Sequence, residues 1–284
     1  MMSLVGVTVL NQGVSAAEMV ESITMSPTNK RYQVKPGEMK ADEITIVNDG
    51  KVGYDFIVYA QPYFVTGEEY KPDYNAKRAN SDANKWVTFD KKRFYLEPGE
   101  SVVIPFTVKV PLGAAPGGHY GVLFAETQSA NSANSGNSVL RKKRIGSVIY
   151  ATVTDGYYRN EGSVLSQNAS FFQFQPPLEA FIRVKNSGNT DFVSQTLLEV
   201  KNMFGKTVHT DTKEFVVLPE TIRMVPFAWE KVPGFGLYKV TIATSFLSVN
   251  KNTVHYVLIA PLWTYLLLAI ALLAGIMYWL QLRR

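Results

Sequence analysis

Residues 96–110 read LEPGESVVIPFTVKV, and this stretch decides the fold class of the chain. The Pro98-Gly99 pair predicts a type II turn, because proline fixes φ and glycine accepts the positive φ that follows. After the turn, the apolar residues Phe106 and Val108 alternate with the polar Thr107. A period of two predicts a strand with one buried face and one face in water.

The same turn signals recur along the chain. Lys35-Pro36-Gly37-Glu38 repeats the Pro-Gly turn, and Leu218-Pro219-Glu220 opens another strand. Asn48-Asp49-Gly50 and Asn186-Ser187-Gly188 each end an alternating apolar run. Short strands between regular turns are typical of β-sandwiches. The sequence therefore predicts an all-β protein with two tandem Ig-like β-sandwich domains, over residues 19–155 and 156–257.

The C-terminal residues 258–280 carry no charged side chain and predict one transmembrane α-helix. At 1.5 Å per residue a helix of this length covers about 34 Å, enough to cross the hydrocarbon layer. Trp263 and Trp279 lie near its two ends, where indole rings prefer the membrane interface. The basic tail, 281–284, is expected in the cytoplasm because positive charge is retained inside.

The N-terminal residues 1–16 are expected to be a signal peptide. A short apolar run precedes small residues that resemble a cleavage site, but no basic residue precedes the run, so the signal peptide is expected to be truncated. With the C-terminal helix, this predicts a single-pass type I protein of the cell membrane with an extracellular ectodomain.

Composition argues against several kinds of chemistry. The chain has 284 residues with no cysteine, which excludes disulfides, thiol nucleophiles and cysteine-based metal sites. Its three histidines have no zinc-binding spacing, and no nucleophile elbow or phosphate-binding glycine loop occurs. The formal charge of +5 is too small for a nucleic-acid binder. We therefore expect no enzyme activity, no catalytic residues, no metal and no cofactor.

Two segments interrupt the strand pattern. Residues 61–86 form a long polar insertion with Tyr63, Tyr70 and Tyr74, either a binding loop or a solvated loop with a short helical turn. Residues 129–138 read SANSANSGNS and predict a flexible hairpin tip. The basic run 141–144 follows, either as a contact for anionic polymer or lipid or as charge that protects a strand edge.

Residues 26–153 resemble the WxL-interacting protein family of Gram-positive cell surfaces. The resemblance lies in Ser26-Pro27-Thr28-Asn29, the two Pro-Gly turns, and the segment 116–124, which reads PGGHYGVLF. Family members have a signal peptide, two Ig-like domains, a C-terminal membrane helix and a short basic tail. The resemblance implies that the first domain binds peptidoglycan and that the second engages surface proteins carrying WxL domains, within the cell wall.

The expected function is thus a membrane-anchored scaffold that attaches to peptidoglycan and holds WxL-type or other surface proteins at the envelope. The alternatives are a chaperone-like sandwich that assists secreted subunits and, less favoured, a wall-modifying enzyme. The candidate ligand-binding residues are three tyrosines of the insertion and a glycine-rich strand entry: Tyr63, Tyr70, Tyr74, Gly117, Gly118 and His119. The paired glycines permit a close approach of a sugar or peptide stem, or simply a bend.

Overall fold

The computed structural model describes residues 22–128 and 142–283, and nearly all regular structure there is β-strand. Two Ig-like β-sandwiches follow one another, and one helix comes last, as the sequence predicts. The predicted signal peptide, 1–16, and the polar stretch 129–138 lie outside the described residues.

The first sandwich is built from eleven strands in two main sheets and one small hairpin. These strands are β1 (Ile23–Ser26), β2 (Asn29–Val34), β3 (Met39–Asn48), β4 (Tyr54–Pro62), β5 (Phe64–Thr66), β6 (Lys71–Asp73), β7 (Val87–Phe89), β8 (Arg93–Leu96), β9 (Ser101–Lys109), β10 (Gly117–Thr127) and β11 (Arg144–Val153). The sheets have the orders β1-β3-β9-β7 and β2-β11-β10-β4-β8, while β5 pairs with β6. Alternate side chains such as Ile44, Phe56, Ile104 and Leu123 fill the space between the sheets.

The second sandwich has eight strands in two sheets. They are β12 (Gly162–Asn168), β13 (Phe172–Gln173), β14 (Leu178–Asn186), β15 (Phe192–Asn202), β16 (Thr207–Val217), β17 (Ile222–Trp229), β18 (Gly236–Phe246) and β19 (Val249–Ile259). The sheet orders are β12-β14-β17 and β13-β19-β18-β15-β16. Ile182, Leu198, Val240 and Phe227 lie in the core between them.

In each sandwich the first two strands belong to opposite sheets. β1 pairs antiparallel with β3, and β2 then pairs parallel with β11, the last strand of the domain. Likewise β12 pairs antiparallel with β14, and β13 pairs parallel with β19. The crossing strand covers only part of the last strand in each case, so among the described residues the rest of that strand stands at the edge of its sheet.

The two Pro-Gly turns have the predicted geometry. Gly37 and Gly99 both have φ of 79°, the left-handed value that the third position of a type II turn needs. The amide of Glu38 donates to the Lys35 carbonyl, and that of Glu100 to the Glu97 carbonyl, each at 3.1 Å. The prediction from the sequence is confirmed at both turns.

Two buried asparagines form equivalent hydrogen bonds in the two sandwiches. The Asn48 side-chain amide donates to the carbonyls of Val52 and Leu96, at 2.9 and 3.1 Å. That of Asn186 donates to the carbonyls of Thr190 and Val217, at 2.8 Å each. Each Oδ1 also accepts the amide of the glycine two residues later. The asparagines thus satisfy buried backbone groups between neighbouring sheets, a role beyond the turn signal noted in the sequence.

Helix α1 (Leu262–Leu282) follows β19 after two residues. It begins later than the predicted span because Leu258 and Ile259 complete β19, pairing with Leu237 and Gly236 of β18. Its 21 residues cover about 31 Å. By length and composition α1 can cross a membrane, and none of its most apolar part is buried against the sandwiches.

Candidate partner-binding edge and interdomain junction

The insertion 61–86 joins the two sandwiches. Its residues form the β5–β6 hairpin and a short 3₁₀ helix, Ala83–Trp86. Phe64 and Val65 of the hairpin pack with Tyr120 of β10 and with Leu218 of the second sandwich. We call these four residues the interdomain cluster. The predicted short helical turn is present. The insertion buries Phe64, Val65 and Trp86, while other residues, such as Glu69 and Lys77, are exposed to solvent.

Tyr70 anchors the insertion to the second sandwich. Its hydroxyl accepts the Leu218 amide at 2.9 Å and shares a short hydrogen bond with the Thr221 hydroxyl. The Arg223 guanidinium lies 4.4 Å from the centre of its ring. Burial raises the pKa of the Tyr70 hydroxyl, although the bonds to Thr221 and Leu218 act in the opposite direction. The tyrosine is therefore held by three groups of the other domain.

The other two tyrosines of the insertion cover the outer face of the first sandwich. The rings of Tyr63 and Tyr74 lie 6.3 Å apart. Tyr74 also meets the ring of Phe124 in β10 edge-on, at 4.9 Å between centroids. Burial raises the pKa of Tyr63. Both rings are half-buried, and Tyr63 also packs against the interdomain cluster.

Glu68 of the insertion pairs with Arg183 of the second sandwich. The Arg183 Nε lies 2.6 Å from Oε2 and the Nη2 lies 2.5 Å from Oε1, a bidentate arrangement. The hydrogen bonds from Arg183 lower the pKa of the Glu68 carboxyl. The Glu68 carbonyl also accepts the Met224 amide at 2.8 Å. The insertion is therefore fixed to the second sandwich by main chain and side chain together.

Asp191 of the second sandwich provides a further contact between the two domains. Its carboxylate, 1% exposed, accepts from the Arg31 Nη1 at 2.6 Å and from the Tyr120 hydroxyl at 3.1 Å. The Arg31 guanidinium also lies over the ring of Tyr150, 4.5 Å from its centre. A carboxylate of the second sandwich is thus held by two side chains of the first.

Gly117 and Gly118 lie where the two domains come closest. Gly117 has φ of 121°, and a Cβ there would lie 2.7 Å from the Asn189 carbonyl oxygen. The Gly118 amide donates to that same oxygen at 2.8 Å. Glycine is required at position 117 because of both its backbone conformation and the neighbouring loop. The close approach expected from the sequence is made by the second domain.

His119 follows the glycines and is buried. Its Nδ1 lies 2.6 Å from the Asp82 carboxylate, and its Nε2 lies 2.8 Å from the Ala115 carbonyl. Burial acts to lower the pKa of His119, but the bonds to Asp82 and Ala115 outweigh it and raise that pKa. Both ring nitrogens face acceptors, so the protonated ring can donate at both positions.

The six residues singled out in the sequence thus lie on, or next to, one face of the first sandwich, which the insertion and the second domain cover. Their role as ligand-binding residues stays a prediction. Arg183 and Asp191 could not be selected from the sequence, because Glu68 lies 115 residues from Arg183, while Arg31 and Tyr120 lie 160 and 71 residues from Asp191.

The open edge of β11 is a feature that sequence reasoning missed. β2 pairs with β11 only from Val148 to Val153, so among the described residues Arg144–Ser147 has a neighbouring strand on the β10 side alone. The Thr127 amide donates to the Lys143 carbonyl, and the Val148 amide donates outward to Thr28. Because strand residues alternate, the amides and carbonyls of Arg144 and Gly146 point away from β10.

The side chains beside this edge form a shallow, partly basic surface. Gly146 packs directly against the buried Phe124 ring and Val122 side chain, since a Cβ there would lie 2.8 Å from the ring and 2.9 Å from the valine methyl. The Arg144 guanidinium lies 4.2 Å from the centre of the Phe124 ring. Lys142 lies 3.5 Å from Glu126. We call Arg144–Ser147 with this surface the β11 edge.

Within residues 22–128 and 142–283, no group of three or more acidic or histidine side chains is placed to hold a metal ion. The largest grooves are open and shallow, and one of them lies between the insertion and residues 220–222.

Comparison with known proteins gives matches in structure alone. No family model and no curated protein matches the sequence. The structure is similar to the class 5 fimbriae chaperone CfaA, with 14% identity over 85% of this chain and 100% of that chain, and a TM-score of 0.41. It is also similar to a chain in the Salmonella enterica SafA pilin–SafB chaperone complex, with 10% identity, coverage of 85% and 97%, and a TM-score of 0.43. The E. coli chaperone DraB matches with 12% identity, coverage of 83% and 98%, and a TM-score of 0.40.

Proposed function

We propose that this chain is a membrane-tethered binding protein that pairs an extended segment of another surface protein with the β11 edge. The observation that carries the proposal is the partial cover of β11 by β2, which leaves Arg144–Ser147 at the edge of a five-stranded sheet. An exposed strand edge offers unpaired amides and carbonyls to an incoming strand.

The edge favours a partner segment with particular side chains. Main-chain hydrogen bonds to Arg144 and Gly146 would fix the segment, while alternate side chains would meet the surface beside it. Gly146 has no side chain that would hinder the approach of a main chain to this edge. Lys142, Lys143 and Arg144 add positive charge, so we expect acidic side chains on the partner segment.

Helix α1 would supply the tether. It carries no charged side chain and follows the second sandwich after two residues, so it would hold both domains at one membrane surface. The contacts of Glu68, Tyr70 and Asp191 between the domains fix the β11 edge relative to that anchor. The partner would therefore be presented at a set orientation above the membrane.

A proline placed on the outward side of β11 tests the proposal. Arg144→Pro removes one outward amide without breaking the ladder to β10, because that amide points away from β10. Arg144→Ala is the matched control, which removes the charge and keeps the amide. With a photo-crosslinker at Lys142 of the membrane-bound full chain, we expect an adduct on an extended segment that survives the alanine variant and disappears with proline. An adduct of equal yield in both variants would contradict strand pairing.

The time at which the adduct forms separates two forms of this function. A scaffold holds its partner at steady state, whereas a chaperone-like module meets secreted subunits during export and then releases them. Pulse labelling before crosslinking distinguishes them, since a chaperone-like adduct decays as the label is chased. Both forms use the same edge.

Attachment to peptidoglycan and recognition of WxL domains stay predictions of the family resemblance. The attachment to peptidoglycan is tested by sedimentation of the full chain with purified cell wall in detergent. If the chain does not sediment, the wall-binding role fails while strand pairing at β11 is unaffected.

A further inference from the structure

Exposed apolar side chains gather at one end of the second sandwich. The pairs Gly236–Ile259 and Asn202–Tyr238 bring the ends of β15, β18 and β19 together. The loops 203–206 and 230–235 therefore lie at the end where the chain enters α1. The short strand β13 reaches the same end, because Phe172 pairs with Leu258.

This end carries large apolar residues that pack on no core. We call the following side chains, each at least half exposed, the aromatic collar: Phe171, Phe172, Phe174, Met203, Phe204 and Phe235. Phe204 is 86% exposed at the tip of its loop, where Gly205 turns the chain with φ of 78°. In the loops of the opposite end, 187–191, 218–221 and 247–248, Leu247 is the one exposed large apolar side chain, while the linker that enters there carries the exposed Tyr157 and Tyr158.

The collar is joined closely to α1. Only Ala260 and Pro261 separate β19 from the helix, and the Ala260 amide donates to the Gln173 carbonyl at 3.0 Å. Two residues span at most about 7 Å. The ring of Phe174 also lies 6.2 Å from that of Tyr265 in the helix. Phe174 therefore lies beside the first turn of α1, and the loops 203–206 and 230–235 lie at the same end of the sandwich.

The charges around the collar suit a lipid surface. Lys206 and Lys231 are exposed within the two loops, two residues after Phe204 and four residues before Phe235. Lysine side chains can extend to phosphate groups while aromatic rings enter the boundary below them. Glu230 is the one acidic side chain of these two loops. Aromatic rings with flanking lysines are the composition of membrane-interface anchors.

We propose that the aromatic collar inserts into the headgroup region of the bilayer that α1 crosses, so that the second sandwich rests on the membrane. This inference depends on the membrane tether of the proposed function, and it adds a second, peripheral contact. Each ring that enters the boundary removes apolar surface from water and restrains the tilt of the ectodomain.

The absence of cysteine makes the test direct. Phe204→Cys and Phe235→Cys, each labelled with NBD, place a polarity-sensitive dye on the collar of the full chain. Leu112→Cys is the matched control, since Leu112 is also 86% exposed but belongs to the first sandwich. The chains are reconstituted in vesicles of equal parts phosphatidylcholine and phosphatidylglycerol, with and without lipids that carry a quencher near the headgroup.

We expect blue-shifted emission and quenching at positions 204 and 235, and water-like, unquenched emission at position 112. Flotation of the same vesicles reports the tether separately. If the chain floats with the vesicles while the dyes at positions 204 and 235 keep water-like, unquenched emission, insertion of the collar is refuted and attachment through α1 is supported. If the chain does not float, both the tether and the collar fail.

Discussion

The contact of Asp191 with Tyr120 gives the sharpest test of how the two sandwiches are held together. We consider Asp191→Ala, which removes the carboxylate from the junction. Tyr120 is fully buried, so its hydroxyl would lose its acceptor with no water to replace it. The Arg31 side chain is 42% exposed, so its guanidinium would turn to solvent.

These environments set the expected magnitudes. A buried donor left without a partner costs about 1–3 kcal/mol. The pair with Arg31 adds less, about 1 kcal/mol, because an exposed partner is screened by water. We therefore expect Asp191→Ala to lower the free energy of unfolding by about 3 kcal/mol, with most of the loss arising at Tyr120.

A double-mutant cycle separates the two contributions. Urea unfolding of the full chain in detergent micelles would be measured for Asp191→Ala, Tyr120→Phe and the double variant. Since Tyr120→Phe removes the stranded hydroxyl, the double variant should be less damaged than the sum of the single variants, by about 1–2 kcal/mol. The same cycle with Arg31→Ala should give about 1 kcal/mol or less. Additivity at Tyr120 within about 0.5 kcal/mol would refute the reasoning.

Three further predictions concern single contacts. The fold raises the pKa of His119, so its stabilising effect is complete below its unfolded pKa of about 6.5 and is lost as the pH rises through the folded value. His119→Phe should therefore remove this pH dependence from the free energy of unfolding measured in urea. An unchanged pH dependence would contradict the prediction. Asn48→Asp and Asn186→Asp each replace two donated hydrogen bonds with a buried charge, so each should lower the free energy of unfolding by about 3 kcal/mol or more in thermal unfolding. A loss below about 1 kcal/mol at either site would argue against the stabilising role of these hydrogen bonds. The carboxyl of Glu68 has a pKa below its usual 4.5, so its contribution to stability is lost as the pH falls below that value. Glu68→Gln should therefore make the free energy of unfolding fall less steeply in this acid range. A curve parallel to that of the wild type would exclude a stabilising role of the Glu68–Arg183 pair.

The sequence predicts the fold through local chemistry. The turns at Gly37 and Gly99 depend on residues next to them, and strand alternation depends on the residues two positions away. The sequence marks both asparagines, because Asn48 and Asn186 each begin an Asn-x-Gly turn that is followed later by a Pro turn. Their hydrogen bonds to Leu96 and Val217 join distant residues and could not be predicted from this pattern.

The site was harder to predict because its contacts join distant parts of the chain. The tyrosines of the insertion suggested a ligand, yet Tyr70 bonds to Leu218, and nothing local to Tyr70 indicates that partner. The β11 edge depends on how far β2 follows β11, which is a matter of register between strands far apart in sequence. Residue type alone does not set that length.

The direction in which the chain enters and leaves the second sandwich decides how it carries load. The chain enters at Gly162, which pairs with Asn186 at the end near the first domain, and it leaves at Ile259 beside α1. If a partner is held at the β11 edge and α1 crosses the membrane, as we propose, tension between the two runs along the strands. The hydrogen bonds between β18 and β19 are then sheared together and are not opened one at a time. No disulfide shares this load, because the chain has no cysteine.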